Sequence, residues 1–326
     1  MGPVQKILDD WQKVLPDVIH AHDFESAFIG MMLKSAHNVP LFVTVHKTPK
    51  EIDRSAARTQ SKESFLKLLI STQQVDKFIA PGRAYSLRLQ EQGIPARNIA
   101  LVNNGVPITD LVSQSLDDAV QHRFGLSSDG DFILCPSRLD RHKGIETLID
   151  AAALLQNDPD IKKMNLKFLV AAGSGDARYR AHLQRIVAGN GLDGTFLLGP
   201  SDGRDCNANE MKWLYRNAVA CVLPSRREGF SQALLEAFVH QTPVLASNTG
   251  GNPEIVRPEK TGYLFDRDEP DKLARQLKEL LRNSRQTKRM VEDARVAVER
   301  EYSAKGMASN LFDLYCEASG ITIKAD

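Results

Sequence analysis

Short unbroken apolar runs alternate along this chain with stretches whose apolar residues recur every three or four positions. Val4–Leu15 predicts a helix, Asp17–His22 a buried strand and Ser26–Ala36 the helix after it. Pro40–His46 predicts the next strand, Lys62–Ser71 a helix and Lys77–Ala80 a third strand. Arg83–Gln92 predicts a helix stopped by Gly93, and Ile99–Val102 a strand stopped by Asn103-Asn104-Gly105. Strands that are apolar at every position, with helices between them, indicate a parallel sheet covered on both faces.

Ser113–Gly130 is polar and predicts an interdomain linker. A second alternating series follows, with strands at Phe132–Cys135, Leu166–Ala171, Thr195–Leu198, Ala218–Leu223 and Pro243–Ser247, and a smaller one within Thr261–Phe265. Asp271–Arg300 predicts a charged helical tail. The fold class expected is α/β, with two Rossmann-like, doubly wound parallel-sheet domains and a cleft between them. The domain limits expected are 1–120, completed by a C-terminal helix over 305–326, and 121–304. Ligands in such sheets bind beyond the carboxyl ends of the strands.

Composition narrows the function classes. The 42 basic and 41 acidic residues among 326 nearly cancel, and a dedicated nucleic-acid binder usually carries a basic excess. The four cysteines include no CxxC pair, and Cys135 and Cys221 fall in strand-like runs as expected buried thiols, which fits a reducing, cytoplasmic setting. No apolar run reaches the roughly 18 residues of a membrane span. Met1–Lys6 lacks the apolar core of a signal peptide. Peripheral contact with a membrane stays open.

The chemistry concentrates after the strands of the second half. Pro224-Ser225-Arg226-Arg227-Glu228-Gly229-Phe230-Ser231 leads from a strand into a helix carrying Glu236. Ser231 is suited to cap that helix, whose free amides and partial positive charge favour an anion such as phosphate. Carboxylates on either side suit sugar hydroxyls, and a ligand with both features is a nucleotide sugar. After Cys135, Arg138 and Lys143 offer a planar donor fork and a compact charge for two phosphates. An isolated R-x4-K is more often a pair of surface charges. Gly173-Ser174-Gly175 lets backbone approach a ligand closely, although G-x-G also marks plain turns.

Taken in order, R-x4-K, G-S-G, P-S-x2-E-G-F-S-x4-E, P-V-L-A-S, G-G-x-P-E-I-V and T-G-Y-L-F resemble the family 4 retaining glycosyltransferases, which share the GT-B fold. The resemblance runs over residues 15–310 or so and is strongest from 132 to 266. It implies that Arg138 and Lys143 hold the nucleotide diphosphate. It further implies that Glu228 contacts donor-sugar hydroxyls, that Glu236 contacts the ribose, and that Gly229, Phe230 and Ser231 form the turn facing sugar and phosphate. Gly173 joins the expected donor site. In the first half, Pro16–Asp23 resembles the family's strand-end motif, which assigns His22 to the reacting sugar and leaves His20 as a core histidine. Val43–His46 and Asn104–Val106 match further cleft positions, His46 among them.

The resemblance implies a hexosyltransferase that needs no cofactor and no metal, with UDP the expected carrier of the donor sugar. His22, Glu228, Arg138 and Lys143 are its expected catalytic residues. Positive charge from Arg138, Lys143 and the helix at Ser231 would stabilise the departing diphosphate. The acceptor is a glycan, a lipid-linked sugar or a small molecule. One departure stands out: the family's opening strand and Gly-rich loop have no counterpart before Val4, so the first domain is expected to be short. The alternative function is therefore a non-catalytic nucleotide-sugar-binding subunit, or a fragment needing its missing N-terminal part. Another GT-B enzyme, such as a phosphorylase or epimerase, is a third reading.

Overall fold

The computed structural model describes residues 15–46, 64, 66–108, 117–128, 130–173 and 175–320. The expected helix at Val4–Leu15 lies almost wholly outside them, and so do parts of the one at 62–71; its described residues, 64 and 66–71, are helical, and the helix runs on to 72. The chain divides into two compact units, Met1–Gly105 with Ala304–Asp326, and Val106–Ser303.

The first unit holds a parallel sheet of β1 (Ile19–His22), β2 (Leu41–Thr44), β3 (Lys77–Ala80) and β4 (Ile99–Leu101), side by side in chain order. In register, His20 lies beside Phe42 and His22 beside Thr44. Helix α1 (Asp23–His37) starts at the very end of β1, and α2 (Arg83–Glu91) follows β3. Leu41, Phe42 and Val43 are fully buried, as expected of a strand covered on both faces. Helix α1 turns Phe24, Ala27 and Met31 inward, a three-and-four spacing that places them on one face.

The second unit holds six parallel strands: β5 (Phe132–Cys135), β6 (Lys167–Val170), β7 (Phe196–Leu198), β8 (Ala220–Leu223), β9 (Val244–Ser247) and β10 (Tyr263–Phe265). Their spatial order is β10-β9-β8-β5-β6-β7. From β5 the chain moves outward to β7, then returns to lay β8 on the other side of β5. The strand order therefore reverses between β5 and β8. Ile133, Val222 and Leu245 are buried completely within the main core, each such side chain contributing about 1.5–3 kcal/mol.

Three expectations change here. The stretch read as a linker contains helix α3 (Asp117–Phe124), with Val120 and Phe124 buried. Its Arg123 pairs with Asp202 at 3.0 Å and Glu210 at 2.6 Å, which fastens it to the second unit. The division between units accordingly falls after Gly105, not at 120. Val106 bridges to Ser303 and donates its N–H to the Tyr302 carbonyl at 2.8 Å, so the second unit's two ends lie side by side. Finally, the charged tail is two helices, Pro270–Arg282 and Ser284–Glu301. The Asn283 side chain between them accepts from the Gln286 N–H and caps the second.

Candidate functional site

In an open parallel sheet, the loops on either side of a reversal in strand order diverge and leave a crevice beyond the strand ends. Here those loops follow β5 and β8, and they carry R-x4-K and P-S-x2-E-G-F-S respectively.

The two loops are stitched together. The N–H groups of Arg226 and Arg227 both donate to the His142 carbonyl, at 2.8 and 3.3 Å. The Arg226 guanidinium reaches Asp268 at 2.6 Å, Glu146 at 3.0 Å and the Arg141 carbonyl at 3.1 Å. Gly144 has φ +63°, and a Cβ there would lie 2.1 Å from the Pro224 carbonyl oxygen. Only glycine fits a backbone so turned and so close. Behind them, the Gly251 N–H donates to the Gly229 carbonyl at 2.7 Å. A Cβ on Gly250 would sit 1.8 Å from the Glu228 carbonyl oxygen. The G-G turn after β9 thus backs the E-G-F-S turn.

This scaffold brings Lys143 and Glu228 together. Lys143 Nζ donates to Glu228 Oε2 at 2.9 Å, and the Ser225 hydroxyl donates to the same oxygen at 2.8 Å. Ser225 is itself buried, and its carbonyl accepts from the buried Ser247 hydroxyl at 2.5 Å. Both ion-pair side chains are largely covered, at 18% and 13% exposure, so their attraction is less screened than on open surface. An ammonium has three donors, and two remain for oxygens of a ligand. Ser225 is a positioning residue that the motif contained but sequence reasoning left without a role.

Helix α7 (Gln232–Val239) begins beside this pair. Ser231 stands at its N-cap position but is buried, and its hydroxyl makes no capping bond. The expected cap is thereby corrected: the backbone has the extended form usual for an N-cap, but the side chain takes no amide of the helix. Phe230 is buried against Tyr302, the ring centres 5.8 Å apart. It anchors the turn and is not presented at its surface, while Gly229 supplies the backbone that the Gly251 amide holds.

One turn further on, Glu236 reaches a cavity of about 350 Å³ within the same unit, lined also by Cys206, Asn207, Met211, Lys212 and Tyr215. Glu236 is exposed at this concave wall, and the partial loss of hydration there raises its carboxyl above the usual range, against the opposing pull of the Tyr215 hydroxyl. The buried Tyr215 hydroxyl has no hydrogen-bond partner among the described residues, although the Glu236 carboxyl is its near neighbour. Burial likewise pushes the Cys206 thiol up to about 11, which leaves it protonated and unreactive.

Arg138 is exposed, and its guanidinium makes no hydrogen bond or ion pair with the described residues. Gly173 has a different reason from the one expected. A Cβ there would meet the Arg204 carbonyl at 2.1 Å and the Asp205 nitrogen at 2.3 Å. The chain's own backbone fills the space assigned to a ligand. Ser174 lies outside the described residues.

In the first unit, β1 and β2 end in a stack of imidazoles. His22 Nδ1 and His46 Nε2 are 2.9 Å apart, with ring centres at 5.2 Å. His20 stacks beneath His22 at 4.5 Å. Burial first, then the neighbouring His22 and His46, lowers His20 to about 4. Asp23 holds the turn in place. It adopts φ +62°, which Asp tolerates better than most residues, and its carboxylate accepts the His46 N–H at 2.7 Å. The Tyr85 hydroxyl donates to the His46 carbonyl. The two histidines chosen from sequence are thus brought together, and His20 is a supporting member of the stack.

Two α/β units, one with a reversal flanked by a Lys–Glu pair and a helix terminus, define a protein of the GT-B class. The sequence model described as glycosyl transferases group 1 matches residues 118–297, and that of Glycosyltransferase Family 4 matches residues 2–110. The chain belongs to this glycosyltransferase family. It is 30% identical over 314 residues to an uncharacterized glycosyltransferase of Methanocaldococcus jannaschii, covering 92% of this chain and 75% of that protein. Among solved structures, sucrose-phosphate synthase of Thermosynechococcus elongatus superposes with a TM-score of 0.80 at 22% identity, covering 98% of this chain and 78% of that one. HepE of Anabaena, in complex with UDP and glucose, gives 0.79 at 18% identity, covering 95% and 80%. No described helix is long and apolar enough to cross a membrane. Among the described residues, no group of three His, Cys, Asp or Glu could hold a metal ion.

Proposed function

We propose that this glycosyltransferase moves a hexose from a nucleoside diphosphate sugar, UDP being the expected carrier, to an acceptor hydroxyl. Transfer retains the anomeric configuration and uses no metal. The observation that carries this reading is the meeting of Lys143, Glu228 and the start of α7 beyond the reversal in strand order. A diphosphate there gains the two remaining Lys143 donors and the amides of the helix terminus. Arg138, exposed on the same loop, adds a planar fork. Together they stabilise the charge that builds on the leaving diphosphate. The partly apolar cavity under Glu236 takes the nucleoside, with the carboxylate accepting ribose hydroxyls. Glu228, held by Ser225, accepts hydroxyls of the hexose. His22, paired with His46, keeps the role at the reacting sugar that the family resemblance gives it. A nucleotide sugar as donor is also supported by a neighbour of the same fold solved with UDP and glucose.

The test is turnover of UDP-glucose and related donors by the purified chain in EDTA, with the anomeric configuration of the first product read by proton NMR. Retained configuration in EDTA is expected. An inverted product, or activity only with added Mg²⁺ or Mn²⁺, contradicts the reading. Binding of donor without transfer or hydrolysis would make the chain a binding subunit.

A further inference from the structure

The chain's last long helix, α8 (Ala304–Ser319), packs on the first unit's sheet. Its Tyr315 lies against Phe42, ring centres 5.2 Å apart, and against His20 at 5.7 Å. The two ring nitrogens of His20 have separate partners. Nδ1 meets the Tyr315 hydroxyl at 2.5 Å, and Nε2 meets the Thr44 hydroxyl at 2.7 Å. A phenol is the better donor and an imidazole nitrogen the better acceptor. The Tyr315 hydroxyl therefore donates to Nδ1, and Nε2–H donates to Thr44. With the bonds in that direction, the neutral ring is held as its Nε2–H tautomer.

That ring is the floor of the histidine stack. His22 lies on it at 4.5 Å, and His22 in turn bonds His46. Between two neutral imidazoles, one nitrogen must donate and the other accept. The pair then presents one donor and one acceptor, and which ring presents which depends on how His22 is tilted. The groups that meet here come from five elements: β1 contributes His20 and His22, the end of β2 contributes His46, α1 contributes Asp23, α2 contributes Tyr85, and the last helix contributes Tyr315.

We propose that Tyr315 is a positioning residue, which fixes the ring of His20 and through the stack sets the orientation of the His22 ring. The inference rests on the assignment of His22 to the reacting sugar. Its structural part is separable from that assignment. A helix 295 residues away in sequence from His20 would thereby form part of the first unit's site.

Tyr315→Phe keeps the ring that packs on Phe42 and removes only the hydroxyl. Nitrogen-15 NMR of the histidines in the full chain should show His20 as the Nε2–H form in the wild type and as a mixture of tautomers in the variant. His20 should titrate at higher pH, because the bond that favoured its neutral form is gone. The His22 ring nitrogen shifts should move as well, because the ring it stacks on is no longer fixed. Donor turnover should fall about tenfold in kcat at unchanged KM, about 1.4 kcal/mol. His22 ring shifts identical to wild type would overturn the proposal. His22→Ala with full turnover would remove the assignment of His22 and leave the NMR result to decide the coupling. Should Tyr315→Phe fail to fold, Thr44→Val removes the other partner of His20, and an unmoved His22 there overturns the proposal equally.

Discussion

The carboxyl ends of the two sheets are built in different ways. In the second unit the strand order reverses between β5 and β8, and the groups gathered there are held by backbone. Lys143 and Glu228 are 85 residues apart, yet each sits on a loop whose turns and close approaches demand Gly144, Gly250 and the Pro-Ser pair. In the first unit the four described strands run in chain order, and the group at their ends is held by side chains. Three imidazoles stack, and a tyrosine from the far end of the chain supports them. A site made from backbone geometry imposes residue types at fixed spacing and so becomes a motif. A site made from stacked rings imposes only that the rings meet.

The largest expected effect lies in the second unit. Glu228→Gln should lower donor turnover by about 100-fold, close to 2.7 kcal/mol of transition-state stabilisation. It should bind free UDP at least as tightly as wild type, because the carboxylate that shares Lys143 is neutralised. Weaker UDP binding in this variant, measured by calorimetry, would move Glu228 from the sugar to the nucleotide. Gly250→Ala should be destabilising by roughly 2 kcal/mol or more, from a positive φ and a backbone clash. Gly189, at the end of a helix with nothing within 4 Å of its absent Cβ, is the control, and Gly189→Ala should be neutral or stabilising. Equal melting temperatures for the two variants would show that the G-G turn does not hold the Glu228 loop.

Glu236→Gln should weaken free UDP by about fivefold to tenfold, roughly 1–1.4 kcal/mol for a charged acceptor on ribose hydroxyls. Unchanged affinity would empty the cavity of its proposed nucleoside. The effect expected in the first unit is one on stability, read against pH. His20 is depressed to about 4 in the folded chain, below its ordinary 6.5, so the unfolded chain takes the proton first as pH falls. The stability His20 contributes is complete above pH 6.5 and is lost toward pH 4. His142, lowered chiefly by burial, acts with the same sign in the second unit. The urea midpoint should therefore fall between pH 7 and pH 4.5, and fall less in His20→Gln. Identical pH dependence in the two proteins would sink this reading.

What sequence could and could not disclose follows the same division. Every strand of both sheets was visible, because residues such as Phe42, Leu134 and Val222 are buried on both faces and must be apolar. Lys143, Glu228 and Glu236 stood out through the turns that carry them, and the fold brings Lys143 and Glu228 together. Helix α3 was missed because its apolar side is narrow, only Val120 and Phe124, and its remaining hold is ionic through Arg123. Gly173 was misread because a missing Cβ looks the same whether a ligand or the chain's own backbone needs the space. Ser231 has the residue type of a cap, and only the fold turned its hydroxyl away. Tyr315 carries no local signal at all: its partner is 295 residues distant, and a tyrosine on a terminal helix face reads as packing.

The central claim is that the nucleoside diphosphate rests on the loops after β5 and β8. Calorimetric titration of UDP in EDTA into wild type, Arg138→Ala and Lys143→Ala tests it most directly. Each cation supplies a charge-assisted contact of about 1.5–3 kcal/mol, so each variant should bind at least tenfold more weakly. Lys143→Ala should lose less than a fully free lysine would, since in the wild type part of its charge is already engaged by Glu228. Wild-type binding in EDTA with graded loss in the two variants is the predicted result. Wild-type affinity retained in both variants would place the diphosphate elsewhere and contradict the account.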